Sequence, residues 1–297
     1  MKIDLHIHSR FSDGMDELED LVPKIAEAGI DVFALTDHDR TDGWAEAAVL
    51  AQKYGLSFIP GIELTTQGKF HERPFGIHLL AYLPNPDDAD LKELLLENQH
   101  LRESRMKHFV DNLQADYPGL RYEDVISGAK ALSTLGRPDL VNALWNLGIF
   151  EDIQDVWEGP VAKGSPYYVS IKARDVLEII KIVRKAGGVP VMAHPLSRLD
   201  SDDSQPEYFP EEHFELMVDA GLLGLETSHI EVSETMRAVL ESFAAKHNLI
   251  TTGSSDYHGL KGKKIANTLA VRTTSPEMLK RILEAGTGTA PTLSHQL

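Results

Sequence analysis

Residues 2–39 read KIDLHIHSRFSDGMDELEDLVPKIAEAGIDVFALTDHD. Lys2–His8 alternates apolar with polar residues, as a strand does, and Val32–Asp37 is a second short apolar run. Between them Leu18–Ala28 has helical periodicity, with Asp16 in position to cap its start and Gly29 its end. A strand, a crossover helix and a strand make a parallel pair. The same rhythm continues through strands predicted at Ser57–Leu64, Gly76–Leu83, Val189–Ala193, Leu223–Thr227, Leu249–Gly253 and Thr268–Val271. Helices are predicted at Trp44–Tyr54, Ala173–Ala186, Glu212–Ala220, Ser233–His247 and Pro276–Glu284, with Ser233 and Ser275 as N-caps and Gly55 and Gly187 as C-caps. The class is α/β, a parallel sheet covered by helices and either open or closed into a barrel.

One region breaks the rhythm. From Asp87 to Tyr168 the pattern is helical, with segments at Ala89–Ala115, Tyr122–Ala129, Pro138–Asn146 and Ile153–Trp157 and prolines at its ends. Residues 1–86 and 169–285 are therefore expected to form a discontinuous barrel. Residues 87–168 would be an inserted helical cap that sets substrate specificity, and 286–297 a loosely held tail. A chain of 297 residues suits this division, since a barrel of this class takes about 250.

Composition narrows the function. Zero Cys excludes disulfides, thiolate metal sites and Cys nucleophiles. A net charge of −17 opposes tight binding to long nucleic acid, whose affinity comes from a basic surface. No run approaches the ~20 apolar residues of a membrane span. The expectation is a cytoplasmic enzyme with no membrane or readable protein partner.

His6 and His8 lie two apart on the first strand and so project together, with Leu5 and Ile7 expected on the other face. Asp13 follows in Ser12-Asp13-Gly14. Further candidates stand in Thr36-Asp37-His38-Asp39, Gly61-Ile62-Glu63, Gly76-Ile77-His78, Ala193-His194-Pro195 and Ser255-Asp256-Tyr257-His258. Strand ends of one sheet edge would bring His6, His8, Asp13, His38, Glu63, His78, His194, Asp256 and His258 to one mouth. Imidazoles and carboxylates without thiolates suit Mn²⁺, Zn²⁺ or Fe²⁺. Nine donors are too many for one ion with an open position, so two or three clustered ions fit better.

These motifs, in this order, resemble the polymerase and histidinol phosphatase (PHP) superfamily, from Met1 to about Gly259. The resemblance implies a distorted parallel (β/α)7 TIM-like barrel with a trinuclear metal centre at its mouth. It implies one ion on His6, His8, Glu63 and Asp256, a second on Asp13, His38 and His258, and a third on Glu63, His78 and His194. Manganese is the expected metal, with zinc or iron as alternatives. The implied reaction is phosphoester hydrolysis by a metal-bound hydroxide, with Asp13 and His38 among the catalytic residues. His229, at the end of Leu225-Glu226-Thr227-Ser228-His229, is a candidate for protonating the leaving group or for contacting the phosphate.

The insertion and its Thr134-Leu135-Gly136-Arg137-Pro138 segment resemble the branch that acts on nucleoside 3′,5′-bisphosphates. A related group removes 5′ nucleotides from short RNA. Arg102 and Arg105 share a helix face, Ser104 lies between them, and Thr134 to Arg137 form a turn at a helix start, where an anion is favoured. Arg102, Ser104, Arg105, Thr134, Arg137 and His229 are thus the candidate substrate contacts. The expected reaction is removal of the 3′-phosphate of a small nucleotide such as adenosine 3′,5′-bisphosphate. Trimming of short RNA from its 5′ end, or histidinol phosphate hydrolysis, is the alternative.

Overall fold

The computed structural model describes residues 1–70, 73–127, 135–196, 209–259 and 268–294. Its strands are β1 (Ile3–Ile7), β2 (Val32–Leu35), β3 (Ser57–Phe70), β4 (Arg73–Tyr82), β5 (Val189–Met192), β6 (Gly224–Ser228) and β7 (Ile250–Gly253). They form one seven-stranded sheet in sequence order. An isolated bridge from Ile7 to Tyr257, with the His8 N–H 2.9 Å from the Tyr257 carbonyl, brings the β7 end of the sheet back to β1. The sheet is a nearly closed barrel.

Two clusters of apolar side chains divide the faces of these strands. Leu5, Val32, Ile59, Leu80, Val191 and Ile250 belong to an inner cluster, joined at the strand starts by Leu279 and Ile282 of α10 (Pro276–Ala285). The alternate residues, such as Phe33, Phe58 and Leu79, pack outward. They meet α1 (Leu18–Glu27), α2 (Trp44–Tyr54), α7 (Val176–Lys185), α8 (Glu211–Ala220) and α9 (Glu234–Lys246). Ser233 and Ser275 cap α9 and α10 as expected, each accepting a bond from the third residue of its helix.

Several expectations need correction. The sheet is not wholly parallel, because β4 runs against both β3 and β5. β3 continues to Phe70 and β4 begins at Arg73, and a link of so few residues is too short for a parallel pair. The eighth strand, Thr268–Val271, is a turn, where the Ala270 N–H is bound by the Asp4 carboxylate. Asp16 does not cap α1. Glu17 holds that position, and the Asp16 carboxylate binds Lys24 and the Tyr257 hydroxyl instead. Leu5 and Ile7 do not share a face: between Asp4 and Ile7 the register with β2 slips by one residue, so Leu5 joins the inner cluster and Ile7 the outer.

The chain divides into two compact units, Met1–Leu95 with Ala173–Leu297, and Leu96–Lys172. The second comprises the rest of α3 (Ala89–Leu113), α4 (Tyr122–Ile126), α5 (Arg137–Trp145) and α6 (Ile153–Glu158). It has its own core, including Phe109, Leu113, Leu140 and Val156.

The tail is not loose over its described part. Phe58 and Thr292 exchange two backbone hydrogen bonds of 2.7 and 2.9 Å, Thr289 N–H binds the Leu83 carbonyl, and Thr287 N–H binds that of Gly187. Gly288 lies so close that a Cβ there would stand 2.4 Å from the Asn85 nitrogen. At about 1 kcal/mol net per bond, removal of residues 286–297 is expected to destabilise the barrel by roughly 3–5 kcal/mol. Calorimetry should show a midpoint lower by roughly 5–15 °C, and an unchanged midpoint would return the segment to a loose tail.

Candidate metal centre

Most candidate side chains are carried by a strand end or the turn after it, whereas Glu63 and His78 lie inside the long paired strands β3 and β4. β1 delivers His6 and His8. The chain then folds back on itself, with the Ser12 and Gly14 amides both bound to the Ser9 carbonyl at 3.0 Å, which returns Asp13 over His8. Gly14 is needed for this, because a Cβ would lie 2.6 Å from the His8 carbonyl. Asp37 braces the loop, accepting from the Ser9 amide, the Ser9 hydroxyl and the Ser12 hydroxyl at 2.6–2.8 Å. His38 pairs by an isolated bridge with Glu63 of β3. His78 lies inside β4, opposite Thr65 of β3, on a strand that runs against both its neighbours. His194 and Asp256 sit in turns at positive φ, 27° and 50°.

The nine candidates come together around one buried carboxylate. Glu63 Oε2 lies 3.2 Å from Nε2 of His6, 3.2 Å from Nε2 of His8 and 3.3 Å from Nδ1 of His38. Its Oε1 lies 2.5 Å from His78 Nδ1 and 3.0 Å from His194 Nε2. Asp256 Oδ1 adds contacts of 3.3 and 3.2 Å to His6 and His8. Asp13 spans His258 Nε2 at 3.3 Å and His38 Nε2 at 3.7 Å. Three overlapping groups have donor atoms mutually within 4.8 Å: His6, His8, Glu63 and Asp256; His8, Asp13, His38 and His258; and His38, Glu63 and His78.

The hydrogen bonds show that this arrangement fits cations. His258 Nδ1 is 2.6 Å from the Asp256 carbonyl oxygen, which can only accept, so Nδ1 carries the ring proton. In the neutral ring Nε2 is then a lone pair, buried without a hydrogen-bond partner and facing a similarly placed oxygen of Asp13. His6 repeats the pattern: Nδ1 meets a Glu226 carboxylate at 3.1 Å, and Nε2 turns toward Glu63 and Asp256. Lone pair against lone pair in a buried site is repulsive unless a positive charge lies between them. Divalent ions accept nitrogen and carboxylate donors in this way.

The same demand for positive charge appears in the acidities. Although burial opposes it, Glu226, Glu63 and Asp256 hold His6 well above the usual imidazole value. His8 is pushed up to about 9, Asp256 and Glu63 outweighing its burial. Asp13 and Glu63 are held well below the usual carboxylate range by the imidazoles around them, again against burial.

His229 lies beside this group, its Nε2 3.6 Å from Asp256 Oδ2. Its Nδ1 accepts the Glu231 N–H at 3.1 Å, so Nε2 bears the proton and His229 presents a donor rather than a ligand lone pair. Glu226 escaped the sequence reading. It is a fully buried carboxylate inside a strand, and that mismatch between residue type and position was its signal.

The remaining candidates belong to the second unit. Arg105 Nε donates to the Val169 carbonyl at 2.6 Å and its guanidinium lies over Tyr168, which gives it a structural role there. Arg137 opens α5 with its guanidinium near Trp157. Arg102 is half-buried and Ser104 exposed on α3. Thr134 lies outside the described residues.

Manganese at a hundredfold excess over its dissociation constant should stabilise the wild type by about 2.7 kcal/mol, read as a rise in unfolding midpoint that chelator reverses. Glu63→Gln should lose most of that rise and Asp31→Asn, remote from the centre, should keep it. No response in the wild type would refute the site.

Comparison with known proteins agrees with this geometry. A model of the PHP domain matches residues 4–126. The chain is 28% identical over 262 residues to phosphoribosyl 1,2-cyclic phosphate 1,2-diphosphodiesterase of Eggerthella lenta, covering 88% of this chain and 95% of that one. It is 27% identical over 271 residues to 3′,5′-nucleoside bisphosphate phosphatase of Chromobacterium violaceum, covering 90% and 91%. A crystal structure from Bifidobacterium adolescentis, described as a metal-dependent phosphoesterase, superposes with a TM-score of 0.84 at 32% identity over 96% of each chain. Agreement of that extent, together with the domain match, means that the chain belongs to the PHP domain family.

Proposed function

We propose that this protein is a metal-dependent phosphoesterase that removes the 3′-phosphate of nucleoside 3′,5′-bisphosphates. The observation that carries the hydrolytic reading is Glu63, whose two oxygens serve two halves of one donor cluster. Neighbouring ions sharing such a carboxylate supply a nucleophile at neutral pH and neutralise the phosphoryl oxygens. Manganese is the proposed metal, at two or three ions per chain, with zinc or iron as alternatives.

The chain's own residues then have separate tasks. His6, His8, Glu63 and Asp256 would hold one ion; Asp13, His38 and His258 a second; Glu63, His78 and His194 a third. His229 would turn its Nε2–H toward the leaving oxygen or the phosphate. Its pKa is raised, Asp256 and Glu226 outweighing the burial that opposes them. Arg102 and Arg137 are the proposed contacts to the distal 5′-phosphate, with Arg105 holding the segment that ends at Val169.

Support for the substrate class comes from the bisphosphate phosphatase relative and from the arginines in a chain with a net charge of −17. The cyclic-phosphate phosphodiesterase relative and short-RNA trimming define the competing substrates.

Purified protein loaded with Mn²⁺ should release phosphate from adenosine 3′,5′-bisphosphate with kcat/KM at least about tenfold above that for 3′-AMP, a charged hydrogen bond being worth about 1.5–3 kcal/mol. Arg102→Ala should narrow that gap. Equal values for the two substrates on the wild type would end the bisphosphate reading, and faster turnover of dinucleotides or of a ribose cyclic phosphate would replace it. His229→Ala should lower kcat by ~10²–10⁴ if it protonates the leaving group. A change confined to KM would assign it to phosphate binding.

A further inference from the structure

We infer that Glu226 is a positioning residue of the metal centre: it fixes the His6 ring so that Nε2 faces Glu63 and Asp256, and it clamps the turn that carries His194. This rests on reading the cluster as a metal site.

Glu226 projects from the middle of β6, completely buried. It accepts hydrogen bonds from three other parts of the barrel. His6 Nδ1 at the end of β1 lies 3.1 Å from Oε1 and 3.3 Å from Oε2. The His194 peptide N–H, just after β5, lies 2.8 Å from Oε2. The Ser254 hydroxyl, just after β7, binds Oε1. A carboxylate only accepts, so each of these partners must donate, and His6 is thereby confined to the tautomer with its proton on Nδ1. Histidine ligands commonly depend on such a partner at the far ring nitrogen. The bond to the His194 amide adds a second function, because His194 sits at a φ of 27°, where a residue with a side chain is rarely stable without outside support.

Glutamine tests this by chemistry rather than by size. In a Glu226→Gln variant the new amide would keep one accepting oxygen for the His194 N–H and turn its NH₂ group toward His6 and Ser254. Ser254 can accept from it. His6 could do so only by moving its proton from Nδ1 to Nε2, which would remove the lone pair from the centre.

The experiment titrates Mn²⁺ into the wild type and Glu226→Gln, each shown to be folded by circular dichroism in chelator, with free Mn²⁺ read by electron paramagnetic resonance. The variant should bind its tightest ion about 10–100-fold more weakly than the wild type. Wild-type affinity in the variant would overturn the inference. A wild type that takes up no Mn²⁺ would instead overturn the metal reading, and this inference with it. A second measurement needs no variant and decides the matter if Glu226→Gln does not fold. In the zinc-loaded wild type, nitrogen-15 correlation spectra should place the His6 ring proton on Nδ1, and a proton on Nε2 would overturn the proposal.

Discussion

Both oxygens of Glu63 lie within 3.3 Å of imidazole nitrogens from five different histidines, in a place closed to solvent. A carboxylate there has lost its hydration; His78 and His194 lie within hydrogen-bond distance of its Oε1, while His6, whose Nδ1 proton goes to Glu226, can turn a lone pair toward Oε2. Added positive charge stabilises such an arrangement. Protons on His6 and His8 can supply part of it, and cations can supply all of it while leaving the histidines neutral. Much of the local structure serves this requirement, since every donor must be held so that it cannot turn away.

The holding is done by acids that do not belong to the cluster, Asp37 and Asp39 buried and Asp16 partly so. Asp37 ties down the loop before Asp13, Asp39 binds the amide and hydroxyl of Thr65 beside Glu63, and Asp16 anchors Tyr257 between Asp256 and His258. Asp39, His194 and Asp256 all have positive φ, each at the turn where a strand hands its residue to the mouth. Such conformations cost about 1–3 kcal/mol each. Here they are offset by side-chain-to-backbone bonds, as between Asp39 and Thr65 or Glu226 and His194.

The donor positions after β1, β2, β5 and β7 were legible in the sequence because strand ends can be read locally, whereas Glu63 and His78 lie inside strands longer than the sequence suggested. His6 with His8, and Asp256 with His258, declare themselves by spacing and residue type, and the helices that separate the strands have caps and periodicity. The direction of β4 was misread for a different reason. Leu64 and Gly76 are too close in sequence for a crossover helix, yet a residue-by-residue reading of strands does not weigh the length of the link. The slip in β1 was hidden as well, because a bulge depends on the register of the neighbouring strand. The tail looked loose because Thr287 and Thr292 bind through backbone atoms, which side-chain identity does not announce. Glu226 was visible as a misplaced charge, but only its three donors explain it.

The seam between β7 and β1 links the fold to the site. Most neighbouring strands share a ladder of several paired residues, whereas among the described residues this seam has an isolated bridge, Ile7 to Tyr257, with the adjoining bond to the His8 amide and a bond from the Ser255 amide to the Asp4 carboxylate. His6 and His8 lie on one side of it and Asp256 and His258 on the other, with side-chain contacts of 3.2–3.3 Å across it. An ion shared by these residues would therefore tie the first strand to the last. The inner apolar cluster and α10 hold the strand starts by burial, which needs no metal. The mouth has no such apolar filling, because its interior positions are taken by histidines and acids. Closure at the starts is thus a matter of packing and closure at the ends a matter of charge, which places the part of the barrel most responsive to a cation at the part that would use one.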